Sequence, residues 1–469
     1  LKKFVDECHK RGIAVIIDVV YNHAFSQSPL AQMYWDAANS RPAANNPWLN
    51  PIAKHDYNVG YDFNHESAYT KNYVKQTLQY WLEEFKIDGF RFDLSKGFTQ
   101  NNTLGDVAEW GHYDASRVAI LKDYADHLWS VNPNVYTILE HLADNDEEKV
   151  LSDYGMMLWG NSNHNYNQNT MGFSSSADIS WISYKKRGWT SPHVMGYMES
   201  HDEERLMFKN LEYGNSSGSY NVKDMNTALA RQEAIANFFF TIPGPKMIWQ
   251  FGELGYDISI DQGGRLSRKP IHWEYFDDAN RRKIYDTWAT LIAFKKEQPA
   301  FQTTDFTLNV NTLVKGIVLR HNDMDVVVVG NFDVTVKSIN PQFTKTGTWY
   351  EFYTGGTMDV TNTTSLITLQ PGEYRLYSTK LLQDPLPVEE VTAEILDLTV
   401  YPNPTKGTFK INKAVNQVEV YDMIGRKVKS FTGEFNADKT YDISALRSSV
   451  YIIKISSDFG RSTKKLVLD

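Results

Sequence analysis

A chain of 469 residues exceeds one ordinary domain of ~150 residues and points to about three, unless a large α/β barrel absorbs two shares. Its 42% hydrophobic and 22% charged residues exclude wholesale disorder, and 48 basic against 57 acidic side chains, a net charge of −9, argue against nucleic-acid binding. The longest apolar runs, Ile13–Ile17 and Phe238–Phe240, fall far short of the ~20 residues that cross a bilayer, and a lone Cys8 forbids an internal disulfide.

Leu1, Phe4, Val5 and Cys8 recur at helical spacing before the stop signal Arg11-Gly12, so the chain starts inside an element. Ile13–Val20 follows as a continuous β-branched run, expected to be a strand buried on both faces of a parallel sheet. Further strands are predicted at Ile87–Phe92, Val135–Leu139, Met156–Trp159, Val194–Met198 and Lys246–Gln250. Helices are predicted at Tyr69–Phe85, Ser116–Trp129, Thr227–Phe240 and Ala279–Lys296. This alternation implies parallel βαβ units, and six strands in one direction suggest a (β/α)8 TIM barrel over 1–300 lacking its first two strands, which are expected upstream of Leu1. Ala24–Glu66, rich in Asn, Pro and aromatics, is too long for a plain connection and reads as an inserted loop domain.

After Pro299 the pattern turns all-β: Phe306–Val314, Lys315–Arg320, Asp325–Phe332, Trp349–Phe352 and Tyr374–Tyr377 are short strands of a sandwich over 301–382. A linker at 383–396, with Pro385 and Pro387, leads to a second small all-β sandwich domain at 397–469, with turns at Gly407, Gly425 and Gly460.

Catalytic side chains of an α/β barrel sit where strands end and βα loops begin. Those ends read Asp18-Val19-Val20-Tyr21-Asn22-His23, Gly89-Phe90-Arg91-Phe92-Asp93, Glu140-His141 and His201-Asp202. Asp93, Glu140 and Asp202 would converge from three strands on one mouth, and Arg91, two residues before Asp93, shares its face and can hold it ionised. Any one of these residues could be an ordinary helix cap, and an isolated histidine is more often structural. Like charges gathered in a cleft, however, destabilise a fold unless chemistry requires them. Two carboxyl groups of different pKa are what glycoside cleavage needs. The 12 Trp and 27 Tyr suit sugar faces, although core packing accounts for most of them.

The strings DVVYNH, GFRFD, Glu140 after a hydrophobic strand, and His201-Asp202 resemble, in order and spacing, the four signature regions of the alpha-amylase family of glycoside hydrolases (family 13). The resemblance spans roughly residues 1–380, the trailing sandwich included, and implies an eight-stranded barrel with a loop domain after its third strand. It implies Asp93 as nucleophile, Glu140 as general acid/base and Asp202 as a binder of sugar hydroxyls. It also implies that Arg91 positions Asp93, that His23 and His201 bind hydroxyls of the cleaved sugar, and that Asp18 supports the arrangement. Lys96 would contact sugar beyond the scissile bond, while Tyr61, with Tyr57, Trp159 and Trp249, is a candidate stacking platform. The implied mechanism is retaining, through a covalent glycosyl-enzyme intermediate.

The chain departs from that family at Lys96-Gly97, where Lys-His is common. Many members bind a structural calcium there through that histidine's carbonyl and the asparagine matched by Asn22. Glycine keeps a carbonyl, so Ca2+ is implied at Asn22, with Asp56, Asp62 and their neighbours left open as further ligands. At the other end, YPNP at Tyr401–Pro404, the G-R-K-V run from Gly425 and the closing Lys464-Lys465-Leu466 resemble the C-terminal sorting domain of type IX secretion cargo. The alternative there is a small carbohydrate-binding sandwich. The resulting expectation is a secreted or cell-surface monomer that hydrolyses α-1,4-glucan, with the type IX secretion machinery as partner, no nucleic acid and no transmembrane segment. An α-glucan transferase of the same family and a non-catalytic glycan-binding protein are the competing readings.

Overall fold

Short β-branched runs build one parallel sheet from β1 (Ile16–Val19), β2 (Gly89–Phe92), β3 (Tyr136–Leu139), β4 (Met157–Asn161), β5 (Val194–Tyr197) and β6 (Lys246–Met247). They pair in chain order in a computed structural model that describes residues 1–383, 398–422, 426–457 and 460–469. Chain-order parallel pairing is the arrangement of the TIM barrel, and these strands are six of the eight such a barrel has. The flanking helices are α1 (Lys2–His9), α2 (Ala68–Phe85), α3 (Ala115–Val131), α4 (Asn145–Tyr154), α5 (Asn163–Met171), α6 (Leu206–Tyr213), α7 (Met225–Phe240) and α8 (Ala279–Glu297). Their starts follow side-chain capping: Ser67 accepts from the Tyr69 N–H, Asp114 from Ser116 and Arg117, and Asp278 from Asn280 and Arg281.

Period-two alternation sorts each strand into two faces. Phe90 and Phe92 pack outward with Val74, Leu78, Leu121 and Tyr124 of the helices, whereas Ile16, Ile138, Met157, Trp159, Met195, Tyr197 and Met247 gather in a separate inner cluster. Arg91 and the position after β2, Asp93, share the parity of that inner set. Strand β1 departs from its expected double burial. It is shorter than Ile13–Val20, and Ile13, Asp18 and Val20 are exposed because it lies at the edge of the sheet.

The inserted segment is held by two short antiparallel pairings, His23–Ala24 with Tyr61–Asp62 and Trp35–Asp36 with Arg41–Pro42. A small core of Ala31, Leu49 and Phe63 fills it. Beyond α8 a six-stranded antiparallel sheet runs, in spatial order, through Asp305–Asn309, Val314–Arg320, Val326–Asn331, Tyr374–Ser378, Gly347–Glu351 and Thr357–Val360. The predicted strand Phe306–Val314 is thus divided, with Val310–Leu313 turning between two paired strands. Along Val326–Val329 the alternation carries Val326 and Val328 into one core with Phe238, Ile284 and Leu291, and Val327 and Val329 into another with Trp349 and Tyr377. The barrel helices and the sandwich therefore share apolar core, and Leu1–Gln383 forms one compact unit.

The second unit has its own core of Phe409, Val418, Tyr441, Ile453 and Leu466 between a three-stranded and a four-stranded antiparallel sheet. The expected linker lies, after Gln383, outside the described residues, as does Gly425. No helix among the described residues is long and apolar enough to cross a membrane.

Candidate active site

Parallel register brings the polar strand ends side by side. Asp18 stands opposite Arg91, and Phe92 opposite both Val19 and Leu139, so the next residues, Asp93 and Glu140, emerge together. Main-chain bonds continue the ladder past the strands: the Asp93 N–H donates to the Val19 carbonyl at 3.0 Å and the Glu140 N–H to Phe92 at 3.0 Å.

Arg91, 5% exposed, organises the group. Its Nη1 donates to Asp18 Oδ1 at 2.7 Å and Asp93 Oδ1 at 2.8 Å. Its Nη2 lies 2.7 Å from Glu140 Oε2, an ion pair by distance although its angle falls outside hydrogen-bond geometry. The guanidinium also lies over the Trp159 ring at 4.1 Å, fixed between a planar face below and carboxylates at its edge.

The two acids differ in surroundings. Glu140's side chain is 13% exposed against 23% for Asp93. Burial raises the Glu140 pKa above the ordinary carboxylate range, and the charges of Asp93 and Asp202 add to this. Arg91 and the Leu94 N–H, which donates to Glu140 Oε2 at 2.9 Å, oppose it. Leu94 reaches that position by adopting a left-handed backbone with φ of 42°, uncommon for a non-glycine residue and located where the loop must present an N–H to the acid.

Behind Glu140 a buried polar network fixes the loop. Ser95 donates its N–H to the Glu140 carbonyl at 2.9 Å, and its hydroxyl lies 2.9 Å from His141 Nδ1. His141 Nε2 meets Glu147 Oε1 at 2.6 Å, and Arg117 grips Glu147 through two donors at 2.6 and 2.8 Å. This network was not legible in sequence, because Glu147 belongs to the unpredicted helix α4.

Asp202 is half exposed and lies beside His201, whose Nε2 is 3.3 Å away. The His201 ring stands 6.2 Å from Trp159 and 5.7 Å from Trp249, so Trp159 links this pair to Arg91. His23 is buried, and burial lowers its pKa, which keeps the imidazole neutral at pH 7. Lys96 donates to the Leu142 carbonyl at 3.1 Å and lies over Trp110 at 4.2 Å. Tyr61 pairs with Ala24 and meets Trp35 edge-on at 5.4 Å, on the inserted segment away from Arg91's contacts. Two neighbours escaped sequence reading. Glu203 accepts from Asn161 at 2.5 Å and from Tyr197 at 3.4 Å, and Arg265, from the loop after β6, donates to the Asp202 carbonyl. Nothing in the run His201–Arg205 separates its three acids, and Arg265 lies 63 residues further along the chain.

Next to this mouth lies a cluster of acceptors. Asn22 Oδ1, His55 Nε2 and Asp62 Oδ1 are buried, and none has a hydrogen-bond partner. His55 Nε2 stands 3.4 Å from Asp62 Oδ1, while its Nδ1 donates to the Asp56 carbonyl at 2.8 Å. The Asn22 amide orientation follows from its Nδ2 donating to Asn58 Oδ1 at 3.2 Å. A methyl group at Gly97 would overlap Asn22 Oδ1. Among the described residues no three His, Cys, Asp or Glu side chains form a metal-binding group. The set here is one carboxylate, one amide and one imidazole, and its orphaned oxygens fit a hard cation.

A parallel sheet paired in chain order, with polar groups gathered at the C-terminal ends of its strands, is the arrangement of TIM-barrel enzymes. The family model described as "Alpha amylase, catalytic domain" matches residues 52–286, half of the chain, and the protein belongs to the alpha-amylase family of glycoside hydrolases. A "Secretion system C-terminal sorting domain" matches 399–469, the tail of a type IX cargo that is secreted or carried on the cell surface. The chain is 24% identical over 364 residues to a 1,4-alpha-glucan branching enzyme of Methylococcus capsulatus, covering 70% of this chain and 45% of that one. It is 33% identical over 109 residues to the chloroplastic isoamylase SU1 of Zea mays, covering 22% and 13%. The chain spans less than half the length of these relatives. In fold it is similar to the alpha-amylase of Geobacillus thermoleovorans complexed with acarbose, with a TM-score of 0.59 and 18% identity over 81% of this chain and 80% of that one. A pullulanase from Anoxybacillus sp. complexed with maltotetraose gives 0.60 and 16% over 81% and 56%.

Proposed function

We propose that this protein is a retaining hydrolase of α-1,4-glucan, acting on starch, glycogen or maltodextrin outside the cell. The carrying observation is the single guanidinium of Arg91 contacting Asp93 and Glu140 at once, with burial pushing Glu140 toward its protonated form. Asp93, oriented by its bond from Arg91, attacks the anomeric carbon. Glu140 gives its proton to the departing glycosidic oxygen, and the sugar is left covalently bound to Asp93. Glu140, now a carboxylate, then takes a proton from a water whose oxygen bonds to the anomeric carbon as the bond to Asp93 breaks, releasing the sugar with its original configuration and restoring both acids. A retaining pair needs its carboxyl groups about 5–5.5 Å apart, and a shared guanidinium keeps the two acids close. Asp202 and His201 hold sugar hydroxyls, and neutral His23 offers a further hydrogen bond. The sorting domain supports hydrolysis over transfer, because an exported enzyme meets polymer to be broken down.

Asn22 and Asp62 would hold a structural calcium, with His55 beside them. Its chemistry there would be charge compensation of buried oxygens, fastening the inserted segment to the end of β1. The test of function is the product profile from maltoheptaose, with Asp93→Asn as control. Shorter oligosaccharides released first as the α-anomer are expected. Longer or branched products would make the enzyme a transferase, and no turnover would revive pure glycan binding.

A further inference from the structure

Beside Asp202 lies a cavity of about 250 Å3 between β5's end and the loop after β6. Its lining includes His201, Arg205, Trp249, Arg265, Arg268 and Lys269, and none of its described lining residues is Asp or Glu. In a protein of net charge −9 this is a local reversal of sign.

Not all of that charge is free. Arg205 is neutralised by Glu199 at 2.9 Å, and Arg265 is turned toward Asp202 and lies 4.0 Å from Asp261. Lys269 meets only neutral acceptors: its Nζ donates to the carbonyls of Gln262 at 2.9 Å and Gly264 at 2.7 Å, and to Ser267 Oγ at 3.2 Å. Arg268 makes no hydrogen bond or ion pair among the described residues. The turn that carries them is preformed. Gly263 and Gly264 adopt φ of 73° and 103°, and the Ser267 hydroxyl bonds back to the Gln262 and Gly264 carbonyls at 3.0 and 2.7 Å. Two uncompensated cations thus face an opening that also holds the Trp249 ring, an apolar plate of the kind a pyranose face covers.

We infer that this cavity receives a glucose unit carrying a phosphate monoester, so that the enzyme prefers phosphorylated α-glucan to the neutral polymer. This rests on the glucan reading above. A phosphate carries close to two negative charges at neutral pH and three acceptor oxygens, and the guanidinium fork matches them two at a time. A neutral sugar in the same place would leave Arg268 and Lys269 without counter-charge.

The full-length protein and its Arg268→Ala variant are compared on phosphorylated maltooligosaccharides and on the same oligosaccharides after phosphatase treatment. The expected result is a kcat/KM ratio of about tenfold in favour of the phosphorylated chains, weakened by added salt and lowered in Arg268→Ala. Equal rates, preference for neutral chains, or a preference untouched by the substitution would overturn the inference. Calorimetry on Asp93→Asn with both oligosaccharides gives a reading that needs no turnover. Tighter binding of the phosphorylated form supports the cavity even if the wild-type protein cleaves neither, an outcome that would sink the hydrolase reading alone. Equal binding overturns the cavity and leaves that reading intact.

Discussion

Glu140 and Asp93 follow adjacent strands in the same register, yet they are not interchangeable, because one is buried deeper and receives a main-chain N–H. The raised pKa of Glu140 means its acid form persists to higher pH than an exposed glutamate's, and activity should fall as pH rises through that value. Asp202 is one of the charges that raise it. Asp202→Asn should therefore move the alkaline limb of the kcat/KM profile to lower pH, alongside a loss of rate from lost sugar contacts. A limb that stays put or moves upward would refute the coupling. Glu140→Gln should cost about 10²–10⁴-fold on glucan and much less on a glucosyl fluoride, whose leaving group needs no proton. The strand-end acids were legible because alternation along a strand fixes which side chains point inward. Arg265 and Glu203 were not, since their roles come from loops folded back over the mouth.

Helix and loop elements show the same divide. Helix α7 and helix α8 announce themselves by apolar periodicity, whereas α5, written Asn-His-Asn-Tyr-Asn-Gln-Asn-Thr-Met, carries no such periodicity and is not among the predicted helices. It is helical because its asparagines are buried and bonded: Asn163 donates to the Met198 and Glu204 carbonyls at 2.8 Å, and Asn169 to Asn165 and Ala177 at 2.7 and 3.0 Å. Tertiary partners override weak propensity there. The acceptor cluster of Asn22, His55 and Asp62 is a similar product of two elements meeting, and it carries its own prediction. A chelator should lower the melting temperature of the full chain and added calcium should restore it, a linkage worth about 2.7 kcal/mol at a hundredfold excess over Kd. Gly97→Ala, whose methyl overlaps Asn22 Oδ1, should lower stability and abolish the response to chelator. Indifference of the parent protein to chelator would exclude the cation.

At the scale of the whole molecule, the barrel and its sandwich were legible as a change of pattern after Pro299, but not as one compact unit. That unity depends on Val326 and Val328 turning toward α7 and α8, a choice of face made only once the sheet meets the helices. The C-terminal unit differs in kind, for it closes around its own core and is matched along its length as a secretion sorting domain. A segment with its own core and a transport role should be separable from catalysis. Deleting Asp384–Asp469 should leave glucan cleavage in cell extracts within about twofold of the parent, because changes remote from a site and its core cost little. Export should be lost, with the protein retained inside the cell on fractionation. If activity collapsed with the deletion, the tail would have to support the barrel as well as its transport. If export persisted, the sorting role would have to lie elsewhere in the chain.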